Sequence, residues 1–275
     1  MSSPASRLQE MEPISLDELN AVAALQTRVD RKYLVPTQSL DKVLAGLGDD
    51  CRVLDFGGAR DSLYESVYFD TPDFTSYLSA ARKRRRRFKI RTRAYLDTGA
   101  CFLEVKTAGG RSTTVKDRIE YGLDDRDVIT AEGREYVNET MALTGVADLR
   151  ETPLIPKLIT GYRRSTLYIP SSGARATIDL GLELKMDDEH RLVLPHLAVV
   201  ESKSAGGPTV VDRLLWKHGH RPDSISKYCV GLAALNPHLP SNKWRRVLRT
   251  HFMGLHEAPR YAEQTSARDA LTSAA

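Results

Sequence analysis

The sequence has no long apolar run and few cysteines, and both absences narrow the class of protein. No stretch reaches the roughly 20 apolar residues that a membrane-spanning helix needs, so we expect no span. Residues 1–10 lack the pattern of a secretory signal. Cys51, Cys101 and Cys229 are scattered and odd in number, which argues against a disulfide framework and a zinc cluster. We therefore expect a cytoplasmic protein in a reducing environment.

The charge is almost balanced, so its distribution matters more than its sum. The 275 residues include 40 Lys and Arg against 36 Asp and Glu, for a formal net charge of +4. A hydrophobic fraction of 41% is typical of a globular protein. Residues 1–12 and 258–275 are rich in small and polar residues with little periodicity, so we expect disordered tails around one domain at 13–257.

Short periodic segments predict an α+β protein. Helical periodicity covers 15–25, 37–47, 127–144, 209–217 and 228–235. Alternating segments predict strands at 28–35, 63–70, 85–96, 100–107, 112–121, 161–169, 174–182 and 196–203. Many antiparallel strands with a few helices favour a β-barrel with the helices packed outside over a doubly wound sheet.

Cations alternate with apolar residues along these strands. Successive side chains point to opposite faces, and the cationic faces carry Arg87, Lys89, Arg91 and Arg93; Glu104 and Lys106; Lys116, Arg118 and Glu120; Tyr162 and Arg164; Arg175, Thr177 and Asp179; and Glu201 and Lys203. For one strand, the simpler interpretation is charges in water. Because the pattern recurs and adjacent like charges repel each other, we expect the sheet to close around a polyanion.

A linear polyphosphate or triphosphate fits such a tunnel, because arginine forks bind phosphate oxygens bidentately. Four carboxylates share the cationic faces: Glu104, Glu120, Asp179 and Glu201. They either coordinate Mg²⁺ or Mn²⁺, which favour oxygen ligands, or pair with neighbouring cations. The residues alone leave both interpretations open.

Residues 82–87 form a basic run of the kind found in nucleic-acid patches. The run has little aromatic interleaving for base stacking, and its end continues the strand alternation. We therefore interpret it as an entrance that steers polyanions into the tunnel, and nucleic acid is not the expected main partner. Residues 242–252 are basic and amphipathic, which predicts a solvated terminal helix.

Seven short segments together resemble a known family. They are 28–35 (RVDRKYLV), 66–71 (SVYFDT), 89–95 (KIRTRAY), 102–106 (FLEVK), 162–164 (YRR), 200–203 (VESK) and 226–228 (SKY). In order and spacing they resemble the vacuolar transporter chaperone (VTC) domain of the triphosphate tunnel metalloenzymes, or CYTH-like superfamily, over roughly residues 25–236. The resemblance implies an eight-stranded antiparallel tunnel that polymerises polyphosphate from ATP with a divalent metal.

The resemblance also implies roles for individual residues. The residues implied in catalysis are Arg91, Arg93, Lys106, Tyr162 and Arg164. Those implied in holding phosphates are Lys32, Lys89, Lys116, Arg118, Arg175, Lys203 and Lys227. Glu201 would bind Mn²⁺ or Mg²⁺, and the implied partners are ATP and inorganic polyphosphate or pyrophosphate.

One departure from the superfamily bears on the reaction. Its triphosphatase branch begins with alternating glutamates and a lysine, whereas these positions here are Arg28, Asp30 and Lys32. The poorer carboxylate set favours the polymerase over the hydrolase. An inorganic triphosphatase of the same fold and a non-catalytic polyphosphate-binding module remain the alternatives. A membrane-bound partner, the primer and the oligomeric state are left open.

Overall fold

A computed structural model describes residues 3–22, 29–108 and 114–252, and within these ranges the protein has eleven strands and eight α-helices. The strands are β1 (Glu12–Ile14), β2 (Val29–Pro36), β3 (Arg52–Leu54), β4 (Ser62–Asp70), β5 (Arg87–Tyr95), β6 (Ala100–Ala108), β7 (Thr114–Glu120), β8 (Ile155–Ile169), β9 (Ala174–Lys185), β10 (Arg191–Leu194) and β11 (Leu197–Ser204). The helices are α1 (Pro4–Glu10), α2 (Leu16–Val22), α3 (Thr37–Ala45), α4 (Thr75–Ala81), α5 (Ala131–Thr144), α6 (Val210–Lys217), α7 (Lys227–Leu235) and α8 (Arg245–His251).

Eight strands form one antiparallel path in the order β2-β11-β9-β8-β4-β5-β6-β7. The short strands β1, β3 and β10 extend this sheet at its margins. The predicted α+β class and the eight-stranded antiparallel arrangement are confirmed. Among the described residues β2 and β7 form no ladder with each other, so the sheet curves without closing by hydrogen bonds.

The apolar face of the sheet packs beneath helices, as the alternation predicts. On β5 the buried residues Phe88 and Ile90 alternate with half-buried cations. They pack with Val137 and Met141 of α5. Helices α3 and α6 cover the corresponding face of β2, β9 and β11 in a second cluster. These contacts place most of the core between the sheet and its outer helices.

Helix α7 is placed differently, against the face that carries the cations. It packs on Leu34, which shares a face of β2 with Lys32, and on Val199, which shares a face of β11 with Glu201. Gly231 permits this close approach, because a Cβ there would lie 2.8 Å from a methyl carbon of Leu158. The helix therefore lies across one end of the cationic face.

The N-terminal segment differs from the expected tail of residues 1–12. Ser3 caps α1 by accepting a hydrogen bond from the Ser6 amide, and Leu8 is buried beside α3. An ion pair joins Arg7 to Asp41 of α3. The buried Leu8 and the ion pair between Arg7 and Asp41 hold this segment against α3, although its sequence shows little periodicity. The limits of the domain stay a prediction, and residues 258–275 lie outside the described residues.

The C-terminal part of the described chain also differs from its prediction. Residues 242–252 are helical as expected, but the helix is not simply solvated. Trp244, Val247 and Phe252 are buried in the same cluster as α7. No helix in the described ranges has the length and apolar character needed to cross a membrane.

Candidate functional site

The curved sheet encloses a cavity of about 300 Å³ with a strongly cationic lining. Six lysines and three arginines line it, against three carboxylates, namely Asp30, Glu104 and Glu201. Eleven of the predicted site residues meet here: Lys32, Lys89, Arg91, Arg93, Lys106, Lys116, Tyr162, Arg164, Glu201, Lys203 and Lys227. The side chains come from β2, β5, β6, β7, β8, β11 and α7. Their individual roles stay predictions.

Two predicted phosphate-binding residues do not line this cavity. The Arg118 guanidinium lies over the ring of Phe102, 4.5 Å from its centroid. Arg175 donates a hydrogen bond of 2.5 Å to the backbone oxygen of Leu19. By alternation both residues lie on the cationic face of their strands. They lie outside the part of that face that lines the cavity. Alternation assigns a face and leaves the position along the tunnel undetermined.

Glu104 is the centre of one group of ion pairs in the lining of the cavity. It is 3% exposed, and its Oε2 accepts hydrogen bonds of 2.8 and 2.6 Å from Nε and Nη2 of Arg91. Arg93 and Lys116 lie 3.4 and 3.1 Å from its carboxylate oxygens. Burial alone would raise the pKa of Glu104, but the charges of Arg91 and Lys116 outweigh it and lower the pKa. Glu104 is therefore ionised and fixes these cations in place.

Asp179 organises a second group from a position beneath the lining. It is 1% exposed and binds Arg164 in a bidentate pair, with distances of 2.5 and 2.8 Å. Lys227, the first residue of α7, donates to the same carboxylate. Burial opposes the charge of Asp179, but Arg164 and Lys227 outweigh it, so its pKa is lowered. The ion pair between Lys227 and Asp179 connects the start of α7 to β9.

Glu201 forms the third group and was the expected metal ligand. Its Oε1 lies 2.9 Å from Nζ of Lys32, its neighbour across β2 and β11, and its Oε2 lies 3.7 Å from Nζ of Lys203. Burial would raise its pKa, but these two lysines outweigh burial and lower the pKa strongly. Glu104, Asp179 and Glu201 thus all pair with cations, which was one of the two interpretations left open.

The donor set limits how a divalent metal could bind. Within the described ranges, no three His, Cys, Asp or Glu side chains come together in an arrangement that could hold a metal ion. Mg²⁺ commonly binds one or two carboxylates together with oxygens of a phosphate substrate. The residues therefore fit a metal shared between Glu201 and a bound phosphate chain, and they do not fit a metal held by protein ligands alone.

A row of lysines on the same strands as the Glu104 group is only partly compensated by carboxylates, because Lys116 alone among them lies near one, 3.1 Å from Glu104, within the described residues. Lys89, Lys106 and Lys116 face one another directly across β5, β6 and β7, and we call them the lysine row. In the described part of the chain neither Lys89 nor Lys106 forms a salt bridge; Lys89 donates a 2.9 Å hydrogen bond to Ser226 Oγ. Desolvation and the charges of Lys89 and Lys32 lower the pKa of Lys106. Like charges opposite each other are destabilising, so this wall is suited to an anion.

Aromatic residues that the strand analysis did not single out complete the wall. Tyr64 stacks on Tyr162 with ring centroids 5.4 Å apart, and the Arg164 guanidinium lies 5.2 and 5.1 Å from the two centroids. Tyr68 accepts a 3.0 Å hydrogen bond from Arg91. Burial would raise the pKa of Tyr68, but Arg91 and the neighbouring lysines outweigh it and lower the pKa. Tyr64 and Tyr68 lie on the same face of β4, four residues apart. This spacing is the sequence signal that could have assigned both tyrosines to the site.

A known protein family matches most of the chain. A family model described as the VTC domain matches residues 27–236 of the chain. The search of the curated proteins found no match.

Three solved structures have a similar chain path. The Hippeastrum protein HpAC1, described as having a dominant triphosphatase activity, is 15% identical, over 79% of this chain and 100% of its own, with a TM-score of 0.48. The protein PH1012 from Pyrococcus horikoshii OT3 is 14% identical, over 70% and 90%, with a TM-score of 0.36. Pfu-838710-001 from Pyrococcus furiosus is 13% identical, over 70% and 91%, with a TM-score of 0.37.

Proposed function

The chain belongs to the VTC domain family, and from this premise we propose that it is a divalent-metal-dependent polyphosphate polymerase. In this proposal it transfers the γ-phosphoryl group of ATP to pyrophosphate or to a growing inorganic polyphosphate chain inside the cation-lined cavity. The observation that carries the proposal is the lysine row, because adjacent ammonium groups on one wall are stabilised by an anion between them.

Two kinds of cation support the binding of a phosphate chain. Arg91 and Arg164 are held by carboxylates, so their planar forks are pre-organised for bidentate contacts with phosphate oxygens. Lys89 and Lys106 provide point charges on the lysine row. The other cations proposed to surround the chain are Lys32, Arg93, Lys116, Lys203 and Lys227. Arg118 and Arg175 are left out of the proposed site because they line other surfaces.

The proposed reaction is an in-line phosphoryl transfer. An oxygen of the terminal phosphate of the growing chain attacks the γ-phosphorus of ATP and forms the new P–O bond. The bond from the γ-phosphorus to the β,γ-bridging oxygen breaks, and ADP leaves with that oxygen. Catalysis of this kind depends on positioning and on stabilising the charge of the transition state, without a covalent bond to the protein. Arg91, Arg93, Lys106 and Arg164 would supply that charge, with Tyr162 beside the reacting phosphate.

Glu201 is the residue proposed to hold Mn²⁺ or Mg²⁺, jointly with phosphate oxygens of the substrate. Such an ion, when bound, would neutralise charge on the phosphoryl group that is transferred. Lys32 and Lys203 keep Glu201 ionised, which is the state that a metal ligand requires.

The test is to incubate the purified protein with ATP and Mn²⁺ or Mg²⁺ and to measure polyphosphate, free phosphate and bound anion. Polyphosphate formed together with ADP would support the proposal. Free phosphate without polymer would replace it with an inorganic triphosphatase, and intact ATP with retained anion would replace it with a polyphosphate-binding module. The same assay with EDTA is expected to abolish polymer formation.

A further inference from the structure

A second cavity, of about 240 Å³, adjoins the first at the end where β5 begins. Lys89 and Lys106 line both cavities, so the lysine row forms part of their common wall. Beyond them the second cavity is lined by Arg87 and Lys243. The cationic surface therefore does not end at the first cavity.

Strand geometry explains why the cations continue outward. Arg87, Lys89 and Arg91 lie on one face of β5, because side chains alternate along a strand. Alternate residues on a strand are separated by about 7 Å, so the three charges form a spaced series towards the start of β5. Residues 82–86, the rest of the basic run, come directly before Arg87 in the chain and are all exposed.

The outer cations are not joined to carboxylates by salt bridges within residues 3–22, 29–108 and 114–252. In the described part of the chain Arg87, Lys89, Lys106 and Lys243 make no salt bridge, and we call them the unpaired end. The Lys243 ammonium and the Lys83 backbone amide both donate to the carbonyl oxygen of Ala80, at 2.8 and 3.2 Å, and Ala80 lines the second cavity, so the basic run begins beside it. Other cations of the site, such as Lys32 and Arg91, do form salt bridges, so among the described residues this absence of salt bridges distinguishes one end of the site.

The basic run is held in a defined position by α4. The amides of Arg82 and Arg84 donate to carbonyl oxygens of Leu78 and Ser79, both at 2.9 Å, and Lys83 adopts a left-handed conformation with φ of 53°. Cations at a helix C-terminus interact favourably with the helix dipole, but that effect falls off within the last turn. The dipole therefore accounts for the nearest cations and not for the whole run or for the unpaired end.

We propose that a polyphosphate chain too long for the first cavity leaves it along the unpaired end and binds residues 82–86 of the basic run. This inference rests on the proposed function, because it starts from a phosphate chain in the first cavity. Inorganic polyphosphate is favoured over nucleic acid because the two aromatic residues that line the second cavity, Phe88 and Trp244, are only 5% and 2% exposed, and the Lys243 ammonium lies 5.3 Å from the Trp244 ring centroid, which leaves little ring surface for base stacking. The surface thus presents charge to phosphates without a platform for bases.

The experiment compares the affinities of tripolyphosphate and long-chain polyphosphate, measured by calorimetry without nucleotide. Three proteins are compared: the wild type, the variant Arg84→Ala/Arg85→Ala/Arg86→Ala, and a control with the same loss of charge, Lys42→Ala/Arg213→Ala/Lys217→Ala. All six positions are exposed, and the control positions lie on α3 and α6.

We expect the wild type and the control to bind the long chain roughly tenfold more tightly than tripolyphosphate, because extra linked contacts raise affinity. The basic-run variant should lose this gain while its affinity for tripolyphosphate stays within about twofold. For the long chain, the slope of log Kd against log salt concentration should fall by about one for each phosphate contact removed.

Failures of the two proposals are distinguishable. If the wild type binds neither anion, both proposals are overturned. If tripolyphosphate binds but the long chain gains no affinity, or if the basic-run variant keeps the gain, only the present inference is overturned. Single-stranded RNA with the same number of phosphates is the third ligand. RNA binding as tight as that of long polyphosphate, and equally lost in the basic-run variant, would assign the surface to nucleic acid and overturn the inference.

Discussion

The cationic surface has two regions that differ in how their charges are compensated. In the first, each of Glu104, Asp179 and Glu201 contacts two or three lysines and arginines. In the second, the unpaired end, cations are neighbours of other cations, as at Lys89 and Lys106. In the paired region carboxylates offset part of the positive charge without a ligand, whereas the unpaired end is stabilised when an anion binds. Pairing thus fixes the geometry of the site, and its absence supplies driving force for binding polyanions.

The comparison also separates stability from affinity. Removing one partner of a buried ion pair leaves an uncompensated charge, which is strongly destabilising. Removing a cation that is repelled by its neighbours relieves repulsion and weakens the binding of anions. Substitutions in the two regions are therefore expected to have opposite consequences for folding and for binding.

The largest expected effect is on stability, for Asp179→Asn. The substitution leaves Arg164 and Lys227, both mostly buried, without their carboxylate. We expect the free energy of unfolding to fall by about 3–5 kcal/mol, measured by urea denaturation. Tripolyphosphate should restore part of the loss by pairing with the released cations. Glu120→Gln, at an exposed carboxylate on β7, is the control, and an equal loss in both variants would contradict the structural role of Asp179.

The next effect is on binding, for Arg91→Ala compared with Arg118→Ala. Arg91 lines the cavity, whereas Arg118 lies over Phe102 outside it. Loss of two charge-assisted hydrogen bonds of about 1.5 kcal/mol each corresponds to a roughly hundredfold weaker affinity for tripolyphosphate. Arg118→Ala should change the affinity by less than about threefold. Similar losses would show that the whole surface charge, and not the cavity, governs binding. Thermal unfolding of each variant checks that the fold is kept.

Acid is expected to weaken the paired region. The pKa values of Glu104 and Asp179 are lowered in the folded protein, so their contribution to stability is present above the ordinary carboxyl range near pH 4 and is lost as the pH falls through the lowered values. Each unit of lowering is worth about 1.4 kcal/mol. Urea denaturation as a function of pH measures this loss. In the Asp179→Asn variant the free energy of unfolding should fall less steeply as the pH is lowered. An unchanged pH dependence would exclude Asp179 as the source of the loss.

The smallest effect is expected for Lys106→Met at the unpaired end. Affinity for tripolyphosphate at neutral pH should fall roughly tenfold, as for the loss of one charge-assisted contact. The pKa of Lys106 is lowered, so wild-type affinity should decline as the pH rises, earlier than for an ordinary lysine, and the variant should lose this early decline. Stability should change by less than about 1 kcal/mol. Lys42→Met is the control, and destabilisation similar to that of Asp179→Asn would refute the division into two regions.

Much of the architecture is predictable from local patterns. Residues 85–96 predicted β5 to within two residues, because alternation along a strand is set by backbone geometry. The start of β8 at Ile155 was missed, since its first residues include Pro156 and Lys157 and do not form a clear alternating pattern. Helix α4 was also missed. Its N-terminal amides are capped by Asp70, the last residue of β4. The Asp70 carboxylate accepts hydrogen bonds from the backbone amides of Ser76 and Tyr77.

A β-bulge marks a point where periodicity alone fails. The register between β8 and β9 shifts at Gly161 and Arg163, and Gly181 has a φ of +60°. Beyond this point Leu182 and Leu184 pack with α7 in the same cluster as Tyr162. A strict period of two would place these leucines on the face opposite Asp179. An irregularity of this kind depends on the partner strand.

The sequence by itself determined the α+β class, the eight strands of the main path and which cations share a face, since these depend on propensity and on the alternation of side chains. Only the tertiary structure decided which charges are neighbours, because cross-strand register brings Glu201 beside Lys32 and places Lys89 beside Lys106. It also decided that Arg118 and Arg175 lie outside the cavity. Pairing of charges is a property of distances between strands, and no single strand contains that information.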